Sequence, residues 1–320
     1  DDNGLSTQQT DHNGLSTQQT NHKFIMDYLM SRLVPNNLLC LIENWYSMCV
    51  TCVRWGNVFS QFVRLECGVR QGGVLSPYLF ACYIDDIVAT LELRGLGCRI
   101  KHVPVCIFLY ADDIILLSPS VAALQQMLII CEQELSRLEM ALNAKKSVCI
   151  RFGPRYDADC KPLVTIDGQQ LSWVTSCRYL GVYLSAARNF KCCFHESKKQ
   201  FYRAFNSIFG KIGRHASEEV TLKLIQTKCL PVVLYGLDAC PVNNADKHSM
   251  DFVLTRSLMK LFQTNSIIVI NECRNAFNIE LLSKMVTERK RRFLSKFSTS
   301  ENVFCQLFTN VAYLELSELQ

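Results

Sequence analysis

The sequence predicts an α+β fold in which a mixed region precedes an all-helical region. Up to about residue 184, short apolar runs alternate with segments in which apolar residues recur every three or four positions. Beyond Asn189, nearly every segment has the helical period alone. Strands mixed with helices, followed by helices only, are typical of an α+β domain with an all-α extension.

Residues 1–20 form a tandem decapeptide, from which we expect no contribution to the core. Nine of ten positions match between the two copies. The repeat is polar and rich in Gly, Asn and Gln, so it carries too little apolar surface to fold by itself. We therefore expect residues 1–21 to be disordered. From His22 onwards the pattern predicts two helices separated by Pro35, then a strand at residues 58–66.

The middle of the chain is predicted to contain helices, a hairpin and several short strands. A glycine-bearing loop at residues 68–77 precedes a helix with an apolar stripe at residues 79–91. A tight polar turn then joins apolar runs at residues 103–109 and 114–117, which indicates a β-hairpin. A long amphipathic helix follows at residues 121–142. The other predicted strands are residues 147–152, 162–166, 170–174 and 177–184.

Composition narrows the class of protein. The chain has 320 residues and is 49% hydrophobic, which suffices for about two domains with a core. It has no uninterrupted apolar run long enough for a membrane span and no signal-peptide pattern, so we expect an intracellular protein in the nucleus or cytoplasm. The 17 cysteines are then expected to be reduced and mostly buried. Neither Cys49 with Cys52, nor Cys192 and Cys193 with His195, completes the four ligands of a zinc site.

Charge is distributed unevenly along the chain. Residues 185–300 contain 19 basic and 9 acidic residues, a local net charge of +10, whereas the rest of the chain carries −5. A basic half favours a polyanionic partner such as nucleic acid. The alternative is an ordinary solvated helical surface, and charge alone does not decide between them.

Two adjacent aspartates, Asp112 and Asp113, follow Tyr110 in the turn of the predicted hairpin. Neighbouring carboxylates repel each other beside a buried hairpin, and a divalent cation such as magnesium removes this repulsion. The alternative is an exposed Asp-rich turn. The same YxDD pattern occurs at residues 83–86, but there it lies on a predicted helix, where Asp85 and its neighbour point about 100° apart. We expect that second pair to face solvent or to cap a helix.

Five motifs in a fixed order resemble the reverse transcriptases of non-LTR retrotransposons. Residues 68–77, GVRQGGVLSP, resemble the family's GxRQGxxxSP loop, and the YADD turn lies about 40 residues downstream. Residues 142–147, LNAKKS, resemble its LNxxKT/S segment. YLG at residues 179–181 resembles the primer grip, and LYG at residues 234–236 resembles a segment near the thumb. The resemblance covers residues 22–300.

This resemblance implies a fold and an activity. Residues 22–184 would form a partial right-hand palm, and residues 185–320 a basic helical thumb and tail. The activity would be RNA-directed DNA synthesis by two-metal nucleotidyl transfer, with an RNA template, a DNA primer and dNTP as partners and Mg²⁺ held by Asp112 and Asp113. Oligomeric state stays open. The residues that would contact nucleotide or template are Tyr110, Arg70, Gln71, Gly72, Gly73 and Ser76.

The resemblance also assigns roles to residues further along the chain. Lys146 would lie near the leaving pyrophosphate, although it could equally be an ordinary lysine at a strand edge. Tyr179, Leu180 and Gly181 would hold the primer end, although a simple strand turn would also fit. Cations at near-helical spacing would contact phosphates without reading sequence. These cations are Lys198, Lys199, Arg203, Lys211 and Arg214.

One family segment departs from its pattern. The family carries an aspartate segment, DxxxAFDxVxH, whose tail matches the chain at His22. Its two aspartates would then fall at positions 12 and 18, which hold His12 and Gln18, while Asp11 is one residue away. We therefore interpret the chain as an N-terminally truncated and inactive polymerase domain. The alternatives are a non-catalytic RNA/DNA-binding remnant and a decayed element copy.

Overall fold

The computed structural model describes residues 22–65, 68, 73–212 and 215–319, apart from the side chain of Phe24. Helices and small, mostly antiparallel sheets make up these residues, which confirms the predicted α+β class. The chain divides into two compact units. The first contains the described residues up to Cys149 together with Asp159–Trp173, and the second contains Ile150–Ala158 and the described residues from Val174 onwards. The decapeptide repeat, for which the sequence predicts disorder, lies outside the described residues.

The helices of the first unit follow the sequence prediction closely. Its described residues form α1 (His22–Ser31), α2 (Asn36–Ser47), α3 (Ser76–Arg94) and α4 (Val121–Arg137). Pro35 separates α1 from α2, as predicted, because proline lacks the N–H that a continuous helix would need.

The fourth helix ends five residues before the predicted boundary at residue 142. After Arg137 the chain turns back, because Glu139 takes a positive φ of 55° and the Met140 N–H donates to the Leu135 carbonyl at 2.9 Å. Met140 is nevertheless buried. The apolar spacing therefore continues past the end of the helix, which is why periodicity alone overestimates its length.

The strands of the first unit are short. Its described strands are β1 (Val50–Thr51), β2 (Arg54–Trp55), β3 (Val58–Phe59), β4 (Val63–Arg64), β5 (Cys98–Ile100), β6 (Val103–Val105), β7 (Ile107–Tyr110), β8 (Asp113–Leu116), β9 (Val148–Cys149), β10 (Leu163–Val164) and β11 (Gln170–Trp173). Antiparallel pairs join β1 to β4, β2 to β3, β5 to β6 and β7 to β8. The strand β11 pairs antiparallel with β10 and parallel with β9.

Two strand predictions are wrong in their continuity. The predicted strand at residues 58–66 is split into β3 and β4, because the β2–β3 hairpin is enclosed by the β1–β4 pair. The predicted arm at residues 103–109 is likewise divided, because β6 pairs with β5 whereas β7 pairs with β8. Alternating apolar residues show that a segment is extended, but they do not show where its hydrogen-bond partner changes.

Helices α3 and α4 form the centre of the first unit's core. Ile87 and Leu91 on α3 and Met127 and Leu135 on α4 are each at most 1% exposed. They belong to one apolar cluster with Ile107 of β7. Each fully buried aliphatic side chain contributes roughly 1.5–3 kcal/mol to the free energy of unfolding. The cluster therefore stabilises the packing of the β7–β8 hairpin against α3 and α4.

The second unit begins with a three-stranded antiparallel sheet. Its strands are β12 (Ser176–Tyr179), β13 (Val182–Ser185) and β14 (Lys191–Cys193), in that order. The prediction of a single strand at residues 177–184 is therefore wrong. The chain reverses between β12 and β13 at Leu180 and Gly181, which have φ values of 45° and 82°.

Helices build the remainder of the second unit, as the sequence predicts. The described helices are α5 (His195–Ile212), α6 (Glu218–Leu224), a π-helical turn (Ile225–Cys229), α7 (Leu230–Leu234), α8 (Asn244–Leu261), α9 (Ile267–Ala276), α10 (Leu282–Ser298), α11 (Val303–Leu307) and α12 (Thr309–Glu318). The core of this unit includes Phe201 and Phe205 of α5, Val233 of α7 and Leu258 of α8, all at most 2% exposed.

Cysteines contribute to both cores as thiols. The described cysteines form no disulfide, and six of them are buried: Cys106, Cys131, Cys149, Cys192, Cys229 and Cys240. Most of the others are half-buried, and Cys40 is exposed. Within the described ranges, no helix combines the length and the apolar character that crossing a membrane requires.

Candidate active site

The strands that flank the YADD motif form a tight hairpin. Tyr110 on β7 lies opposite Asp113 on β8, so Ala111 and Asp112 are the two turn residues. Ala111 takes a positive φ of 51°, which a two-residue turn of type II′ requires at its first central position. The structure thereby confirms the prediction that Asp112 and Asp113 lie at a hairpin tip.

Asp112 is the chemically unusual residue of this tip. Only 8% of it is exposed, and its Oδ2 atom has no hydrogen-bond partner among the described residues. Leaving a buried polar atom without a partner costs about 1–3 kcal/mol, and more for a charged group. A bound cation would supply the missing partner. Two adjacent carboxylates suit magnesium, which binds one or two protein carboxylates and completes its shell with water and phosphate oxygens.

The carboxylates at this tip form a small donor set. Nowhere in the described part of the chain do three or more His, Cys, Asp or Glu side chains converge to hold a metal ion. The tip can thus offer two carboxylates, from Asp112 and Asp113. Tyr110 on the adjoining strand is 60% exposed, so much of its side chain is open to a ligand.

The second YxDD motif, at residues 83–86, has a structural role. It lies inside α3, as predicted, and Tyr83 is a core residue with 2% exposure. The Asp85 carboxylate accepts a hydrogen bond from Arg32 at 2.6 Å and another from the Tyr28 hydroxyl at 3.1 Å. Asp85 therefore ties α1 to α3, and the two similar motifs differ in environment rather than in sequence.

The glycine-bearing loop is described only in part. Three of its predicted nucleotide contacts lie outside the described residues: Arg70, Gln71 and Gly72. The Gly68 carbonyl accepts a hydrogen bond from His22 Nε2 at 2.9 Å. Ser76 is buried, and its N–H donates to the Gly73 carbonyl at 3.3 Å. Since α3 begins at Ser76, a helix N-terminus follows the loop directly, as the sequence predicts.

Lys146 lies in a turn rather than on a strand. Its N–H donates to the Asn143 carbonyl at 3.1 Å and also to Asn143 Oδ1 at 3.3 Å. The predicted strand at residues 147–152 is reduced to β9, which starts at Val148. Lys146 is exposed, immediately before this strand.

The YLG segment forms the turn between β12 and β13, and a second motif supports that turn. The Tyr235 hydroxyl donates to the Leu180 carbonyl at 3.1 Å. A Cβ atom on Gly181 would lie 2.7 Å from the Tyr235 ring, and one on Gly236 would lie 2.8 Å from the Val182 side chain. The YLG and LYG motifs are therefore in direct contact. The sequence marks both motifs but contains no signal that would place them together.

The predicted phosphate-contacting cations lie on one helix as far as they are described. They occupy α5: Lys198, Lys199, Arg203 and Lys211. Arg214 lies outside the described residues. Two of these side chains are engaged locally, since Lys198 Nζ donates to Ser249 Oγ at 2.8 Å and Lys199 pairs with Glu196 at 2.7 Å.

Much of the positive charge on α10 is offset by neighbouring carboxylates. Glu288 pairs with Arg291 and Arg292, and the hydrogen bond from Arg291 is the main reason that the pKa of this carboxyl is lowered. Lys290 pairs with Glu315 at 2.8 Å. Lys211, by contrast, forms no hydrogen bond or ion pair with any described residue. The local net charge of +10 therefore overstates the number of available cations.

The hairpin tip, the glycine-bearing loop and the YLG turn all lie in a segment of the sequence that matches a known protein family. Residues 18–184 match the family model described as reverse transcriptase (RNA-dependent DNA polymerase). The match covers more than half of the chain, which therefore belongs to the reverse transcriptase family.

Similar proteins identify the type of reverse transcriptase. The chain is 29% identical over 198 residues to the "Retrovirus-related Pol polyprotein from type-1 retrotransposable element R2" of Popillia japonica, which covers 56% of the chain and 26% of that protein. It is 30% identical over 170 residues to the "RNA-directed DNA polymerase from mobile element jockey" of Drosophila funebris, or 51% of the chain and 18% of that protein. The chain thus spans about a quarter or less of these two relatives, and it is a reverse transcriptase domain of the non-LTR retrotransposon type.

Proposed function

We propose that the chain provides a partial right-hand palm, residues 22–184, and a helical thumb and tail, residues 185–320, for RNA-templated DNA synthesis. The observation that carries this proposal is the hairpin tip at Asp112, where a buried carboxylate oxygen lacks a partner in the described part of the chain. The match to the reverse transcriptase family and the polymerase named in the jockey relative support the reaction.

Asp112 and Asp113 would hold Mg²⁺, the cation that their paired carboxylates and the unpaired oxygen suit. When bound, magnesium activates the 3′-hydroxyl of a primer and stabilises the pyrophosphate leaving group. Tyr110 is open enough to contact the incoming nucleotide. We assign the same role to five residues of the glycine-bearing loop: Arg70, Gln71, Gly72, Gly73 and Ser76. Lys146, exposed in its turn, would approach the leaving phosphates.

The primer and template would bind to the second unit. The turn formed by Leu180 and Gly181, with Tyr179 before it, would hold the primer end through backbone atoms. Phosphates of the heteroduplex would be contacted by the cations of α5 and by Arg214. Lys211 is the best candidate for such a contact, because no described carboxylate neutralises it.

We further propose that this chain does not extend primers by itself. A two-metal site uses more carboxylate ligands than the two at the hairpin tip, and the described residues contain no larger cluster. The aspartates that the family places upstream fall on His12 and Gln18 in this sequence. The same observations favour the second candidate function, non-catalytic binding of RNA/DNA.

A binding assay and an extension assay test these proposals together. The chain should bind an RNA/DNA primer–template at low salt, and its affinity should fall steeply as salt rises, because each neutralised phosphate releases counterions. It should not incorporate labelled dNTP with either Mg²⁺ or Mn²⁺. Asp112→Asn should leave the affinity for the duplex within about twofold of wild type. The contacts to the phosphate backbone that hold the duplex are assigned to the cations of α5 and not to the hairpin tip.

Two variants of similar size and charge provide the matched comparison for binding. Lys211→Gln should reduce the slope of log affinity against log salt by about 1, because it removes one phosphate contact. Lys284→Gln should have a smaller effect, since Lys284 already pairs with Glu280 at 2.6 Å. Primer extension that Asp112→Asn abolishes would overturn the proposed inactivity, and Asp11 would then be the first residue to test as a further ligand.

A further inference from the structure

An open cleft of about 530 Å³ lies in the second unit, at the loop between β13 and β14. This volume is within the range of ordinary ligand sites, roughly 300–1,000 Å³. One wall is the loop and the start of β14, from Ala187 to Cys192. Another wall is formed by residues 241–243, which precede α8, and Lys290 of α10 also lines the cleft.

The cleft carries two cations, Arg188 and Lys191, that no described residue neutralises. Arg188 and Lys191 are exposed, and neither side chain forms a hydrogen bond or ion pair with a residue that the structure describes. The carboxylate among the lining residues is that of Asp246, which accepts a hydrogen bond from the Asn243 N–H at 3.3 Å in the capping box of α8. This carboxylate is thus engaged with the N-terminus of α8. Because Arg188 and Lys191 have no such partner, the cleft favours an anionic ligand.

An exposed aromatic residue, Phe190, lies between the two cations in the chain and lines the same cleft. Phe190 is 54% exposed, and its ring centroid lies 5.4 Å from that of Phe152. The loop itself is held in place, because the Gly153 N–H donates to the Ala187 carbonyl at 3.0 Å and the Ala186 N–H donates to the Thr175 carbonyl at 2.8 Å. The contact with Phe152 and these hydrogen bonds give the ring a fixed position while half of its surface stays open.

We propose that this cleft binds a single-stranded stretch of nucleic acid, with one base stacked on Phe190 and the adjacent phosphates contacted by Arg188 and Lys191. An aromatic platform beside cations is the combination that proteins use for single strands, and it tolerates any sequence because every base has a flat face. A base inside a duplex is covered on both faces by its neighbours, so Phe190 selects an unstacked base.

The inference rests on the proposed function only in that the ligand is nucleic acid. The cleft and the turn at Leu180 lie at opposite ends of β13, about 13 Å of extended chain apart at the usual rise per strand residue. About four nucleotides cover that length at the roughly 3.4 Å rise of a stacked strand, and an extended, unstacked strand needs fewer. The cleft therefore suits the unpaired segment of a primer–template whose duplex end is held at the turn.

A fluorescence titration tests the stacking contact. The probes are a short oligothymidylate with one central 2-aminopurine and the matching oligouridylate, so that DNA and RNA are compared directly. Stacking on Phe190 should quench the 2-aminopurine, and Phe190→Ala should weaken binding about 5- to 150-fold without changing its salt dependence. Phe190→Tyr keeps a flat ring and should bind like wild type, which separates loss of stacking from misfolding.

The two cations have their own measurable effect. Replacing both Arg188 and Lys191 by Gln should reduce the slope of log affinity against log salt by about 1.4, the value for two phosphate contacts on a single strand. Phe252→Ala is the matched control for Phe190→Ala. Phe252 is 61% exposed and also has a cation beside its ring, the Arg256 guanidinium at 5.9 Å, but it does not line the cleft. This control should not change single-strand binding.

The outcomes separate this inference from the proposed function. If the RNA/DNA duplex binds but Phe190→Ala and Phe252→Ala have the same small effect on the single strand, the cleft proposal is wrong and the proposed function stands. If neither duplex nor single strand binds, both fail. Binding of an acidic peptide with the affinity of the oligonucleotide, insensitive to Phe190→Ala, would make the cleft a general anion site and also overturn the inference.

Discussion

Replacing Gly181 by Ala should destabilise the second unit far more than a typical surface substitution does. Gly181 has a φ of 82°, and a Cβ atom there would lie 2.7 Å from Cε1 of Tyr235. The backbone conformation and the close approach are separate penalties. Both act on the turn that the Tyr235 hydroxyl holds through Leu180.

The two penalties can be sized individually. A non-glycine residue in the left-handed region costs about 1–2 kcal/mol. The added methyl also pushes aside the Tyr235 ring, which is 58% exposed, so the second penalty is the loss of its hydrogen bond to Leu180, about 0.5–1.5 kcal/mol. The free energy of unfolding should therefore fall by roughly 1.5–3.5 kcal/mol in Gly181→Ala. In a Tyr235→Ala background, where the ring is gone, the same substitution should cost only about 1–2 kcal/mol.

Urea unfolding of the wild type, the two single variants and the double variant forms a double-mutant cycle that measures the difference. Gly168→Ala is a useful comparison in the first unit, because Gly168 has a similar φ of 78° and an added methyl would meet no described atom within 4 Å. A coupling energy near zero between positions 181 and 235 would refute the packing argument, whatever the size of the single effects.

Three further predictions concern the first unit. In metal-free buffer, Asp112→Asn should leave the free energy of unfolding unchanged or raise it by up to about 2 kcal/mol, since it removes a buried charge; a clear loss in urea unfolding would show that Oδ2 has a partner. Gly97→Ala should cost at least about 3 kcal/mol, because its Cβ would lie 2.0 Å from that of Cys106; thermal unfolding at the wild-type temperature would contradict this. Burial raises the pKa of Cys131 to about 12, so alkylation followed by mass spectrometry should label exposed Cys40 quickly and Cys131 only after unfolding.

The distinction between the two YxDD motifs could be predicted because it depends on local periodicity. Around Asp112 the apolar residues form two short runs that flank a polar turn, whereas around Asp85 they recur with a helical period. The structure places the first motif at a hairpin tip and the second in α3. The spacing of apolar residues depends only on neighbours in the chain, so it can be read directly from the sequence.

Other features depend on contacts that no local pattern records. The positive φ of Glu139 ends α4 although buried Met140 continues the apolar spacing. Leu180 and Tyr235 are 55 residues apart in the chain, so neither motif alone indicates their hydrogen bond. The partners of Asp85 are similarly remote, since Arg32 lies 53 residues and Tyr28 57 residues earlier. These relations arise only when packed elements bring distant side chains together.

The contact between Gly181 and Tyr235 has a consequence for how this family can diverge. The Tyr235 ring occupies the space that a side chain at position 181 would need. Substitutions at positions 181 and 235 should therefore be correlated across relatives. A relative with a small residue at position 235 is free to enlarge position 181, but the positive φ still favours asparagine there over a branched side chain. The order of replacement also matters, since losing the tyrosine first avoids the clash that enlarging the glycine first would create.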